Sequence, residues 1–231
     1  MWRRPRASVS LNLLREGTAH LLAVVDEFTD EELREPSSLP GWSRAHVVGH
    51  VARNAEALGR LLSWARTGVE TPMYAGPDER AREIEQSAGY PAAVLRSDLS
   101  ETAAALDAAV GSLTAAQWQV QVRSALGRAI PAAEVPWMRI REVWLHAVDL
   151  GADVEDLPAG VVDLLLDDVV TVLSTKDGCP SAVLAPADRQ HAWSLGAAGA
   201  TTTVAAPAAD LAGWLTGRRA HPDRPVLPRW L

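Results

Sequence analysis

A single cysteine, Cys179, in 231 residues excludes an intrachain disulfide. A single lysine, Lys176, leaves arginine to carry almost all of the positive charge, and even so the formal net charge is −7. That balance argues against a nucleic-acid partner, which calls for a basic face. No apolar run approaches the ~18 residues of a transmembrane helix. Arg15 and Glu16 interrupt the N-terminal apolar stretch before a secretory signal core can form. Phosphate-cradling glycine loops, CxxC pairs, Ser-His-Asp signatures and internal repeats are all missing. These absences predict a cytoplasmic protein with neither a membrane nor a nucleic-acid partner.

What is present is enough apolar material to fold, 48% of the residues. Leu11, Leu14, Thr18, Leu21, Val25 and Phe28 recur at helical spacing and predict an amphipathic first helix. Ser43 is placed to cap a second helix carrying Val47, Val51, Leu58 and Leu62 and ending near Gly68. After a linker with Pro72, Gly76 and Pro77, a short helix is expected over 78–88. Pro91 opens a third long helix through Leu95, Leu99, Leu106 and Val110, and a fourth runs from about Pro136 to Leu150 and stops at Gly151. Four long helices joined by loops predict an antiparallel four-helix bundle. Beyond it VVDLLLDDVVTVL reads as a helix, HAWSLG and TTTVAAP as strands, and PAADLAGWLTGRR as a short helix. The expected class is mainly α with α+β, a bundle over 1–152 followed by a small α+β domain over 153–231.

The chemistry concentrates in two helical segments. In MRIREVWLHAVDL, Glu142 and His146 stand four residues apart on one face, where they can hold one ion together. Asp149 follows on the same face, to orient a ligand or to contact a bound molecule. GWSRAHVVGHVARN offers His46 and His50, also four apart, either of which can supply a third ligand. Carboxylate and imidazole groups among bulky apolar neighbours need compensation, and a divalent cation provides it. The plain alternative is that the histidines cap or snorkel while Glu142 pairs with Arg139. Arg139 and Arg141 can bind hydroxyls of a ligand or pair with acids. Trp42, Trp64, Trp144 and Trp214 are expected to fill the core or a domain junction, and Tyr74 and Asn54 to sit near a polar ligand or on the surface.

The segments LPGWSRAHVVGHVARNAEAL (39–58), WARTGVETPMY (64–74), RIREVWLHAVDLG (139–151), LAGWLTGRR (211–219) and PRW (228–230) together resemble the mycothiol-dependent maleylpyruvate isomerases. The resemblance implies a DinB-like metal-binding bundle followed by a domain related in shape to sterol-carrier folds. It implies His50, Glu142 and His146 as the metal ligands and leaves His46 outside the set. Arg218, directly followed by Arg219, matches the family residue needed for activity.

The implied reaction is cis-to-trans isomerisation of maleylpyruvate to fumarylpyruvate in gentisate breakdown. A double bond turns only after its order is lowered, and reversible conjugate addition of a thiolate does that. Cys179, in a KDGCPS turn without a nearby histidine, is a poor source, and the resemblance supplies mycothiol as the thiol instead. A metal, by the resemblance Zn²⁺, would deprotonate a coordinating thiol, and two His with one Glu would leave a position open for it. Arg218 would grip a substrate carboxylate. Alternatives with the same parts are a mycothiol S-transferase acting on electrophiles and a non-catalytic, thiol-sensing metal module. The expected partners are a small-molecule substrate and a low-molecular-weight thiol, with the chain a monomer or weak oligomer.

Overall fold

The computed structural model describes residues 7–76, 78–199 and 202–230. Two compact units divide the chain, one ending at Gly151 and the other beginning at Ala152.

In the first unit α1 (Ala7–Asp26) buries the predicted stripe at Leu14, Leu21 and Val25. α2 (Arg44–Thr67) begins with a reciprocal cap. The Ser43 hydroxyl accepts from the His46 backbone N–H at 3.3 Å, and the Ser43 N–H donates to His46 Nδ1 at 3.2 Å. The helix ends at Gly68, whose φ of 75° suits a residue without Cβ. α3 (Glu79–Ala88) and α4 (Ala92–Gly111, after Pro91) follow, and α5 (Val135–Asp149) closes the set. Helix α2 packs on α4 and α5, and α1 on α5 and α4, so these four form the bundle. Helix α3 lies against α2. Gly49 permits that approach: a Cβ there would meet the Ser87 Cβ at 2.7 Å.

Between α4 and α5 the sequence reading assigns no element, yet a hairpin stands there. β1 (Gln121–Arg123) pairs antiparallel with β2 (Ala129–Pro131), bringing buried Val122 opposite buried Ile130. Strands of three residues are too short for alternation to register as a period. Their two apolar side chains join a core cluster with Leu58, Leu61, Leu62, Leu106 and Met73.

The second unit contains α6 (Ala159–Leu173), β3 (Ala182–Pro186), β4 (Trp193–Leu195), β5 (Thr202–Ala206) and α7 (Ala208–Leu215). Its sheet has the order β4-β3-β5, with β3 antiparallel to β4 and parallel to β5. The central strand β3 was not anticipated. Its AVLAP run buries alternate residues, but is short and flanked by Pro180 and Pro186. Helix α7 packs on α6. The class is mainly α with a small α+β part, as expected. Among the described residues no helix is long and apolar enough to cross a membrane.

Candidate metal centre

Helix α5 presents Glu142, His146 and Asp149 on one face, and α2 presents His50 toward them. One ligand atom from each of His50, Glu142 and His146 lies within 4.8 Å of the others. His50 Nε2 donates to Glu142 Oε2 at 2.9 Å, and His146 Nε2 stands 3.2 Å from the same oxygen. The imidazole rings meet edge to face, centroids 4.8 Å apart at 89°. Two ligands of a tetrahedral zinc, each ~2.0–2.1 Å from it, stand about 3.3 Å apart. The two separations to Glu142 Oε2 are therefore close to those of a filled site, and the donor set fits a divalent ion.

The side chains differ in access. His50 is 5% exposed and His146 12%, whereas Glu142 keeps 23%, so the centre is reached from the carboxylate side. Trp42 covers His50 edge-on, ring centroids 5.4 Å apart. That tryptophan is half-buried beside the trio rather than a core plug. Trp144 does fill the core, its Nε1–H donating to the Leu13 carbonyl at 3.0 Å. His20, without a visible partner in the sequence, stacks on it at 5.1 Å.

Asp149 orients His146. Its side chain is 1% exposed, and its Oδ2 accepts from His146 Nδ1–H at 2.8 Å. Ser38 supports it from the loop before α2: its N–H donates to the Asp149 carbonyl at 3.2 Å and its hydroxyl lies 3.4 Å from Oδ1. With Asp149 holding the Nδ1 proton, a neutral His146 would keep its Nε2 lone pair for an ion in the site, the usual preparation of a ligating histidine. Of the two roles weighed for Asp149, this geometry supports orientation.

Electrostatics follow from burial and pairing. Burial tends to raise the Glu142 pKa, but hydrogen bonds from His146 and His50 override it and hold the carboxyl well below its usual range. Burial lowers the His50 pKa, only partly opposed by Glu142. At His146 burial also works downward, but the bonds to Asp149 and Glu142 prevail and the pKa rises. The carboxylate is thus ionised and held between two imidazoles.

Neighbouring residues sort themselves. His46 serves the cap and reaches Glu85 at 3.2 Å, so it stands outside the trio. Arg139 is only 1% exposed: Nη1 donates to the Val51 carbonyl at 2.7 Å and to Asn54 Oδ1 at 2.9 Å. Burial pulls its pKa down to about 10, with Glu142 opposing, so it stays cationic at neutral pH. It ties α5 to α2 and is closed to a ligand's hydroxyls, as is Asn54. Arg141 lies over the Trp137 ring at 5.9 Å.

The residue the sequence analysis missed is Arg80 at the start of α3, whose Nη2 donates to His50 Nδ1 at 3.4 Å. Its setting, GPDERAR, reads as an ordinary charged surface, and nothing in spacing points to His50 thirty residues away.

In the second unit Arg218 follows α7, half-buried, with Nη1 donating to the Thr216 carbonyl at 2.9 Å. Arg219 instead pairs with Glu155 and Asp210. Burial raises the Cys179 pKa, so the thiol lacks the activation a nucleophile needs.

A helical bundle with ligands converging from facing helices is a metal-site scaffold. The family model of the mycothiol maleylpyruvate isomerase N-terminal domain matches residues 14–151. Two crystal structures are similar over 98% of either chain at 33% identity: the mycothiol-dependent maleylpyruvate isomerase, with a TM-score of 0.91, and a histidine-to-alanine mutant of it, at 0.90. No curated protein sequence matches the chain. The chain belongs to the mycothiol-dependent maleylpyruvate isomerase family.

Proposed function

We propose that this protein is a metal- and mycothiol-dependent isomerase that converts maleylpyruvate to fumarylpyruvate. The observation that carries the reading is the convergence of His50, Glu142 and His146 within 4.8 Å, in a chain of this family. These three side chains would hold the metal, for which Zn²⁺ is the choice their chemistry favours. Metal and thiol together supply a thiolate at neutral pH, the nucleophile that lowers the order of a cis double bond and restores it on leaving.

The chain's own residues prepare that chemistry. Asp149 fixes the tautomer and orientation of His146. Trp42 shields the His50 side from water, while the partial exposure of Glu142 leaves an approach for thiol and substrate. Arg218 is assigned to a substrate carboxylate, for which its planar fork is suited.

The test is turnover by purified, zinc-loaded protein, followed by the ultraviolet absorbance of maleylpyruvate, with mycothiol present or omitted. Isomerisation only with mycothiol supports the reading. Conjugation of mycothiol to generic electrophiles without isomerisation would make the protein a transferase. Zinc binding with neither reaction would make it a non-catalytic module.

A further inference from the structure

We propose that Arg80 grips a carboxylate of an anionic substrate at the mouth of the metal centre; the assignment rests on the isomerase reading for its substrate class, a dicarboxylic keto acid. The guanidinium stands beside the trio, yet the residue is exposed. Its partners among the described residues are His50 Nδ1 at 3.4 Å, a long contact, and the Tyr74 hydroxyl. Among the described residues no carboxylate forms an ion pair with it, unlike Arg53, Arg60 and Arg82 around it.

The contact with His50 is also one that ligation would break. A histidine that coordinates through Nε2 carries its proton on Nδ1. An N–H cannot accept from a guanidinium, so loading the centre frees the donors of Arg80 for another acceptor. Charge points the same way. Glu142 and Asp149 balance a divalent cation, and the buried cation Arg139 is engaged with Val51 and Asn54, so an incoming thiolate and a dianionic substrate call for further positive charge within reach. Among the described residues, Arg80 is the exposed cation that contacts the trio.

Its position is built rather than incidental. Buried Met73 anchors the preceding loop in the core, and Arg60 Nε donates to the Met73 carbonyl at 2.9 Å. Close packing of Ser87 on Gly49 fixes α3 to α2. A cation in the first turn of a helix opposes the helix dipole, so helix stability gives no reason for arginine here.

The experiment compares wild type, Arg80→Gln and Arg80→Lys, all zinc-loaded, by calorimetric titration with maleate, an unreactive cis-dicarboxylate, alongside maleylpyruvate kinetics and zinc affinity. Loss of a charge-assisted pair predicts maleate binding weakened about ten- to a hundredfold in Arg80→Gln, with zinc affinity unchanged. KM for maleylpyruvate should rise by a similar factor with kcat little altered, as expected for binding made equally in ground and transition states. Arg80→Lys should recover part of the loss, keeping the charge but not the fork. Three results would overturn the assignment: maleate affinity equal in wild type and Arg80→Gln, zinc affinity falling in step with maleate affinity, or wild type taking zinc but no maleate. Maleate binding through Arg80 without maleylpyruvate turnover would refute the isomerase reading and leave this assignment standing.

Discussion

Asp149 Oδ2 accepts the Nδ1 proton of His146 at 2.8 Å, three residues along the same helix, and Ser38 braces the carboxylate from a loop more than a hundred residues away. The pair presets His146 for the metal-ligand role proposed for it. It is also open to direct test.

Replacing Asp149 by Ala should weaken zinc binding about 10- to 100-fold, the usual effect of removing such a partner. Asp149→Asn should be milder, because an amide oxygen still accepts from Nδ1. Competition with a chromophoric chelator measures both; equal zinc affinity in wild type and Asp149→Ala would show that orientation is not its role.

Zinc should raise the melting temperature of the wild type, since a ligand that binds only the folded state stabilises it by about 2.7 kcal/mol at a hundred times its Kd. In His50→Ala or His146→Ala that rise should shrink to a small fraction. An undiminished shift in either variant, read by differential scanning fluorimetry, would place the ion elsewhere.

The metal-free protein should lose stability as pH rises above the ordinary histidine value of 6.5. His146 has a raised pKa when folded, so its contribution is complete below 6.5 and disappears through the folded value. His50, with a lowered folded pKa, adds a slope of opposite sign that fades within about one pH unit above 6.5, where it is neutral in both states, so the His146 trend is read above that. Zinc should reverse the trend, because the ion competes with the proton on His146 and binds more tightly as pH increases. Urea titrations between pH 6.5 and 8.5, with and without zinc, compare the two slopes.

In the second unit, Asp210 gathers His221 at 2.9 Å, Arg219 at 3.2 Å and Arg224, and is 8% exposed. Asp210→Ala leaves these three side chains without their common acceptor and should destabilise the protein by about 2–4 kcal/mol. Chemical denaturation followed through the tryptophans, Trp214 lying under Arg224 at 5.4 Å, gives the value.

The legible parts of this chain were those governed by local rules. The five helices of the first unit could be read from apolar spacing, from Ser43 and from the stops at Gly68 and Gly151, because cap and periodicity act over a few residues. Glu142, His146 and Asp149 shared a face for the same reason. The choice between His46 and His50 could not be made from spacing, since both occupy the same face of α2. Packing decided it: His46 is drawn into the Ser43 cap and toward Glu85, whereas His50 meets Glu142. The β1–β2 hairpin and strand β3 escaped because three to five residues carry too little pattern, and their pairing partners are set by register across the sheet.

By itself, then, the sequence determined which helices form, which residue types they carry inward, and the family to which the motifs belong. Tertiary structure decided what those groups do together. The separation of the His50 and Glu142 ligand atoms, the access left beside Glu142, the burial of Arg139 and the placement of Arg80 all depend on how α2, α3 and α5 pack. Those are distances between residues far apart in the chain, and local spacing carries no information about them until the core has closed.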